Sequence, residues 1–262
     1  MIFADKDCKT LNQELDKIIV LPLGAIEQHG PHLPVGTDSH IITHLAQELA
    51  KRFENEIILC PTLSFGSSHH HIAFGGTISI SANLYSSLIT DLVTSILESG
   101  FRKIILLNGH GGNITPVRQA LTTLSQLTEE KHPANIVLAT YWEVAGKPFA
   151  GEAPMESPAL SHACEYETSL MLEILPNLVH IDKIERAKRP DKNGYIAWED
   201  DEKYRGVSIV KSTAYISDNG SSGEPQLATK DKGHHLFKSA LESLSEFILS
   251  FENWPIYPKL KK

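Results

Sequence analysis

The chain has 262 residues, 41% of them hydrophobic and 21% charged, with a formal net charge of −8. That length suits one large α/β domain, residues 1–262, and is short for two independent ones. An acidic balance with no basic stripe excludes the phosphate-neutralising surface of a nucleic-acid binder.

Cys8, Cys60 and Cys164 lie far apart with no paired spacing. This fits neither a disulfide framework nor a thiolate zinc site and predicts a reducing, cytoplasmic setting. No run of about 18 apolar residues is found. The start of the chain carries Asp5 and Asp7 instead of an apolar leader core. The expectation is a soluble, unprocessed protein without a membrane partner.

In chain order, 18–23 reads as a buried strand ending at Gly24. Residues 39–53 read as a helix with Ile41, Ile42, Leu45, Ala46 and Leu49 at helical spacing. A strand is predicted at 57–63, then a helix at 84–98 with Asn83 as N-cap and Gly100 as terminator. Strand 103–107 runs into Asn108-Gly109-His110-Gly111-Gly112-Asn113, and a helix opens near Thr115-Pro116, where proline costs no hydrogen bond. A strand at 136–141, a helix at 162–175 stopped by Pro176, a polar excursion at 183–201, a strand near 207–210, a Gly/Ser-rich loop at 218–225 and a helix at 236–251 complete the pattern. Short apolar runs alternating with amphipathic segments predict a three-layer α/β/α sandwich with a mostly parallel sheet. Ligands of such sheets collect at the carboxyl ends of the strands.

Three polar clusters follow predicted strands. In the first, Glu27 and His29 point the same way if the chain is extended between them. Asp38 follows at a predicted helix start, where it reads equally as a cap or a ligand. The second holds His110 between glycines; its spacing matches no phosphate loop and it has no lysine. In the third, His162 and Glu165 are three apart and share a face on a helix, with Glu167 turned roughly 140° from His162. Glu165 is thus preferred as a ligand, although both glutamates also suit a helix N-terminus. Nitrogen and oxygen donors without thiolate suit Zn²⁺, Mn²⁺ or Fe²⁺.

LPLGAIEQHGPHLPVGTD at 21–38, FGGTIS at 74–79, LNGHGGN at 107–113, HACEYETSLML at 162–172 and GEPQLATKDKG at 223–233 together resemble the creatininase (creatinine amidohydrolase) family. The resemblance covers most of the chain. It implies two divalent metal ions per chain, with Asp38 bridging them, Glu27 and His110 on one, His29 on the other and a water between. It also implies the three-layer fold and a homohexamer. Creatininase has a ligand glutamate where this chain has Gly112, and Glu165 is expected to fill the vacancy. Of the aromatic residues that close over creatinine, Trp142 is kept, whereas Gly111 and Pro158 replace the others. The pattern resembles branches that include deformylases and other amide hydrolases.

The expected activity is cleavage of a non-peptide C–N bond in a small-molecule amide substrate. The nucleophile is water with its pKa lowered by the metals, and His162 carries the proton to the departing nitrogen. Trp142 and the loop run Ser67-Ser68-His69-His70-His71, with Ser68 and His69 foremost, are expected to line the substrate pocket, none of these histidines as a ligand. The alternative is a metal-stabilised scaffold that has lost catalysis. A peptidase or a phosphoesterase ranks lower, the latter because no basic cluster adjoins the ligand motifs.

Overall fold

The structure, a computed structural model, describes residues 1–189 and 212–256. Four strands form one parallel sheet in the order β2-β1-β3-β4: β1 Ile18–Leu23, β2 Ile57–Leu59, β3 Lys103–Asn108 and β4 Asn135–Thr140. Ile18 sits opposite both Ile57 and Lys103, and Lys103 opposite Asn135. Strand β1, IIVLPL, is buried throughout, which is why it reads as a continuous apolar run rather than an alternation.

Side chains of β1 leave the sheet alternately on its two faces. Ile18 and Val20 pack with helices α2 (Thr37–Arg52), α6 (Glu165–Ile174) and α7 (Lys230–Glu252). Ile19, Leu21 and Leu23 pack with α3 (Ala82–Glu98) and α4 (Ile114–Glu130). Helices on both faces of the sheet make the three layers expected from sequence, and the short helices α1 (Cys8–Leu11) and α5 (Tyr141–Ala145) complete the set among the described residues.

Several boundaries shift for local reasons. Strand β2 stops at Leu59 because the next ladder bond, to Cys60 O, would have to come from Pro22, which has no N–H, although Leu63 still bridges Leu23. The cap of α3 is Ser81, whose hydroxyl accepts from the Leu84 amide at 3.4 Å, rather than Asn83. Helix α7 starts at Lys230, capped by Thr229, six residues before the expected start. The predicted strand near 207–210 lies outside the described residues. Among the described residues no helix is long and apolar enough to cross a membrane.

Candidate metal centre

The loops after β1 and β3 meet at the carboxyl edge of the sheet. Gly24 ends β1 where a side chain would strike Ser39, whose Oγ would lie 2.4 Å from an added Cβ. Its absence lets the first turn of α2 close on the strand, and Ser39 Oγ donates to Ala25 O at 2.9 Å. Asp38 in that turn is thereby buried over the sheet edge. After β3, Asn108 Oδ1 accepts from the His110 amide at 3.1 Å and Asn108 Nδ2 donates to His110 O at 2.9 Å. Asn113 ties this turn back to Gly24 O at 3.0 Å.

These elements bring Glu27, His29, Asp38 and His110 together, each at most 4% exposed. His29 Nε2 lies 3.1 Å from Asp38 Oδ1, His110 Nδ1 3.0 Å from Asp38 Oδ2, and His110 Nε2 3.3 Å from Glu27 Oε2. Two donors about 2.1 Å from one ion stand roughly 3.0–3.4 Å apart, so the two contacts of Asp38 are ligand spacings, while His110 Nε2, held as an N–H by Ser67 O, faces Glu27 without being a ligand atom. Glu27 Oε2, His29 Nε2 and Asp38 Oδ2 are buried with no hydrogen-bond partner. Orphaned polar atoms aimed at one another are costly unless a cation sits among them.

The far ring nitrogens support the same reading. His29 Nδ1 lies 3.0 Å from Glu27 O, His110 Nε2 3.2 Å from Ser67 O and His162 Nε2 2.7 Å from Gln28 O. A carbonyl only accepts, so each of these nitrogens carries hydrogen and leaves the other facing the carboxylates. For His29 and His110 that is the outer-shell arrangement of metal-bound imidazoles, and for His162 it leaves a free nitrogen facing the site.

The electrostatics of the cluster follow from these contacts. Burial opposes charge on His29, yet Asp38 and then Glu167 outweigh it and hold its pKa well above the usual imidazole range. Burial likewise opposes charge on His110, but Glu27 and Asp38 raise it to about 9. Burial lifts Glu27 to about 7. Protons on His29 and His110 thus balance the carboxylates, and a metal held there would have to displace them. Zinc added at pH 7 to weakly buffered, metal-free protein is expected to release roughly two protons per chain and to bind more tightly as pH rises. Calorimetry in buffers of different ionisation enthalpy reads both effects; binding without proton release would refute this account.

Glu165 is not at the centre. Helix α6 begins at Glu165, behind Ala163 in the left-handed region at φ 50°, so His162 lies off the helix and shares no helical face with Glu165. The Glu165 carboxylate instead accepts from Lys232 Nζ at 2.6 Å and from the amides of Glu156 and Ser157 at 3.1 and 2.7 Å. Glu167 is the glutamate that stands beside the cluster: its Oε1 is 3.8 Å from His29 Nε2, and it groups with His29 and His162 within 4.8 Å. The glycine at 112 is closed to any side chain, since an added Cβ would lie 2.1 Å from Ser67 O and 2.5 Å from His110 Nε2.

A cavity of about 630 Å³ opens onto Glu27, Asp38, His110 and His162, with Trp142, Leu160 and Ile216 as apolar wall. Ser68 is buried beneath it, with its Oγ 3.1 Å from His110 Nε2. His69 is exposed and hydrogen-bonded to Ser79; His70 and His71 line the cavity instead. Sequence reasoning gave Gln28 no role, although it lies inside the motif at 21–38, and placed His71 only as one of the run 67–71 that follows the second predicted strand.

The family model described as creatinine amidohydrolase matches residues 5–248. The "Mycofactocin precursor peptide peptidase" of Mycobacterium ulcerans (strain Agy99) is 31% identical over 231 residues, 86% of this chain and 81% of that protein. The "Creatinine amidohydrolase" of Pseudomonas putida is 26% identical over 182 residues, 64% of this chain and 68% of that one. A crystal structure of creatinine amidohydrolase superposes with a TM-score of 0.81 at 21% identity, covering 97% of this chain and 98% of the other, a likeness of fold.

Proposed function

This chain belongs to the creatininase family, whose members include hydrolases of amide bonds, and on that premise we propose that it is a dinuclear-metal amidohydrolase cleaving an amide C–N bond. The observation that carries the reading is the buried group of unpartnered atoms, Glu27 Oε2, His29 Nε2 and Asp38 Oδ2, at the floor of a cavity of substrate size. Glu27, Asp38 and His110 would hold one ion, and His29, Asp38 and Glu167 the other. Zn²⁺, Mn²⁺ and Fe²⁺ all suit these donors. Ions bound there supply Lewis acidity, lowering the pKa of water toward neutrality and polarising a carbonyl.

The chain's own residues handle protons and orientation. Burial, with His29 and His71 adding to it, holds His162 well below the usual imidazole range, so it enters the reaction neutral. Its Nε2–H is committed to Gln28 O, and the free Nδ1 faces the site, 3.4 Å from Glu27 Oε1. Nδ1 takes a proton from the attacking water as the water oxygen bonds to the carbonyl carbon. It then gives that proton to the nitrogen as the C–N bond breaks, leaving a carboxylic acid and an amine. His162 therefore acts as base before it acts as acid. Trp142 and Leu160 offer apolar contact to the substrate and shield the reacting groups from bulk water.

The test is release of formate, ammonia or amine by protein loaded separately with Zn²⁺, Mn²⁺ and Fe²⁺. The panel holds cyclic amides such as creatinine, formamides, simple linear amides and, given the peptidase relative, short peptides. His162→Ala is expected to keep its metal and to slow turnover roughly a hundred- to ten-thousand-fold. Loss of metal in that variant would refute the role of His162. Silence across the panel with metal bound would favour the scaffold alternative.

A further inference from the structure

His71 is buried, lines the cavity and has no part in the ligand set or the proton transfers above. We propose that His71 is a fixed hydrogen-bond donor to the substrate's carbonyl oxygen, its Nε2–H placed by Gln28 to meet the negative charge that develops there. The proposal rests on the amidohydrolase reading.

The side-chain amide of Gln28 has only one consistent orientation. Its Oε1 accepts from the Gly30 amide at 3.0 Å and its Nε2 donates to Gly220 O at 3.0 Å. The remaining amide hydrogen points to His71 Nδ1, 2.7 Å away, where only a lone pair can receive it. The ring hydrogen of neutral His71 therefore sits on Nε2. Thr213 Oγ1, 3.1 Å from Nδ1, satisfies the same edge of the ring.

The ring is locked in plane as well as in tautomer. It stacks on His162 at 4.0 Å with an interplanar angle of 30°, and its other neighbour His70 is 4.2 Å away. His71 Nε2 has no hydrogen-bond acceptor among the described residues; the nearest charged atom, Glu27 Oε1, is 3.4 Å off, beyond a good hydrogen bond. His162 Nδ1 lies 3.4 Å from the same oxygen, and the three atoms fall within 4.8 Å of one another. A substrate group entering there meets an N–H donor on one side and the proton carrier on the other. A donor fixed before the reaction needs no reorganisation as charge appears, which is what makes such groups effective.

The same tautomer argues against His71 as a metal ligand, since a ligand Nε2 must be free of hydrogen and Nδ1 would then point a second N–H at the Gln28 amide. Gln28 is accordingly a positioning residue, acting on substrate only through His71.

The experiment pairs nitrogen-15 imidazole spectra of the zinc-loaded protein with kinetics on the best amide of the panel. The His71 signals, assigned by their loss in His71→Leu, are expected to show hydrogen on Nε2 in the wild type and on Nδ1 in Gln28→Glu, where a carboxylate replaces the amide donor. His71→Leu is expected to lower kcat roughly 10²- to 10³-fold with little change in KM and full zinc content. His71→Gln, which keeps an N–H, should recover part of that loss. Hydrogen on Nδ1 in the wild type, zinc loss in His71→Leu, or an effect confined to KM would each overturn the assignment. A wild type inactive on every amide overturns the amidohydrolase reading together with this one; an active wild type beside an equally active His71→Leu overturns this one alone.

Discussion

Asp38→Ala is expected to abolish metal binding at both positions and turnover with it. Asp38 is the carboxylate that touches both histidines, with Oδ1 3.1 Å from His29 Nε2 and Oδ2 3.0 Å from His110 Nδ1. Its own pKa is held below the usual carboxylate range because, although burial opposes charge, His29 and His110 outweigh it. Removing it takes the shared anion from both ions at once, so the loss of affinity should exceed the roughly 10- to 100-fold carried by an outer-shell partner. The fold should survive. Asp38 lies in the first turn of α2, where a carboxylate contributes about 0.3–1 kcal/mol through the helix dipole, and the buried core beneath that helix is untouched. Metal content by elemental analysis after dialysis, read beside the circular dichroism of the same sample, makes the comparison. A folded Asp38→Ala protein that retains both metals would eliminate the shared-carboxylate centre.

The layers of this fold are legible because β1 is apolar throughout, β3 is apolar from Ile104 to Leu107, and the helices between strands carry their buried residues at helical spacing, as Ile41, Ile42, Leu45 and Leu49 do. The start of α7 is not, because its first turns, Lys-Asp-Lys-Gly-His-His, show no apolar period; Thr229 caps them, and packing on α6 holds them. Glu27, His29 and His110 follow predicted strand ends and Asp38 opens a predicted helix, places where local reasoning is strongest. Choosing between Glu165 and Glu167 required the first residue of α6. The sequence places no breaker between His162 and Glu165, and the left-handed Ala163 that separates them is a non-glycine, a conformation composition does not announce. His71 could not be singled out from its run for another reason: three consecutive histidines cannot be ranked without knowing which of them faces Gln28.

The two glutamates of α6 give the second large expectation. Glu167→Gln should lower metal content to one ion per chain with the fold intact, because its carboxylate stands beside His29 while its other oxygen accepts from the Ala163 amide, a contact that a glutamine oxygen preserves. Lys232→Met should do the reverse. Glu165 is fully buried, and its charge is balanced by Lys232 Nζ at 2.6 Å, which also reaches Glu156 at 2.8 Å and Leu227 O at 2.8 Å. Leaving a buried carboxylate without its cation costs about 3–5 kcal/mol; in a chain of this size that is a fall in Tm on the order of 10 °C, with two metals still bound below the transition. Double substitution Glu165→Gln with Lys232→Met should restore part of the stability, since the buried charge is then gone from both sides. Thermal denaturation and metal analysis on the three variants together separate the roles. Loss of metal in Lys232→Met at a temperature where it is folded would return Glu165 to the ligand set, and full metal content in Glu167→Gln would remove Glu167 from it.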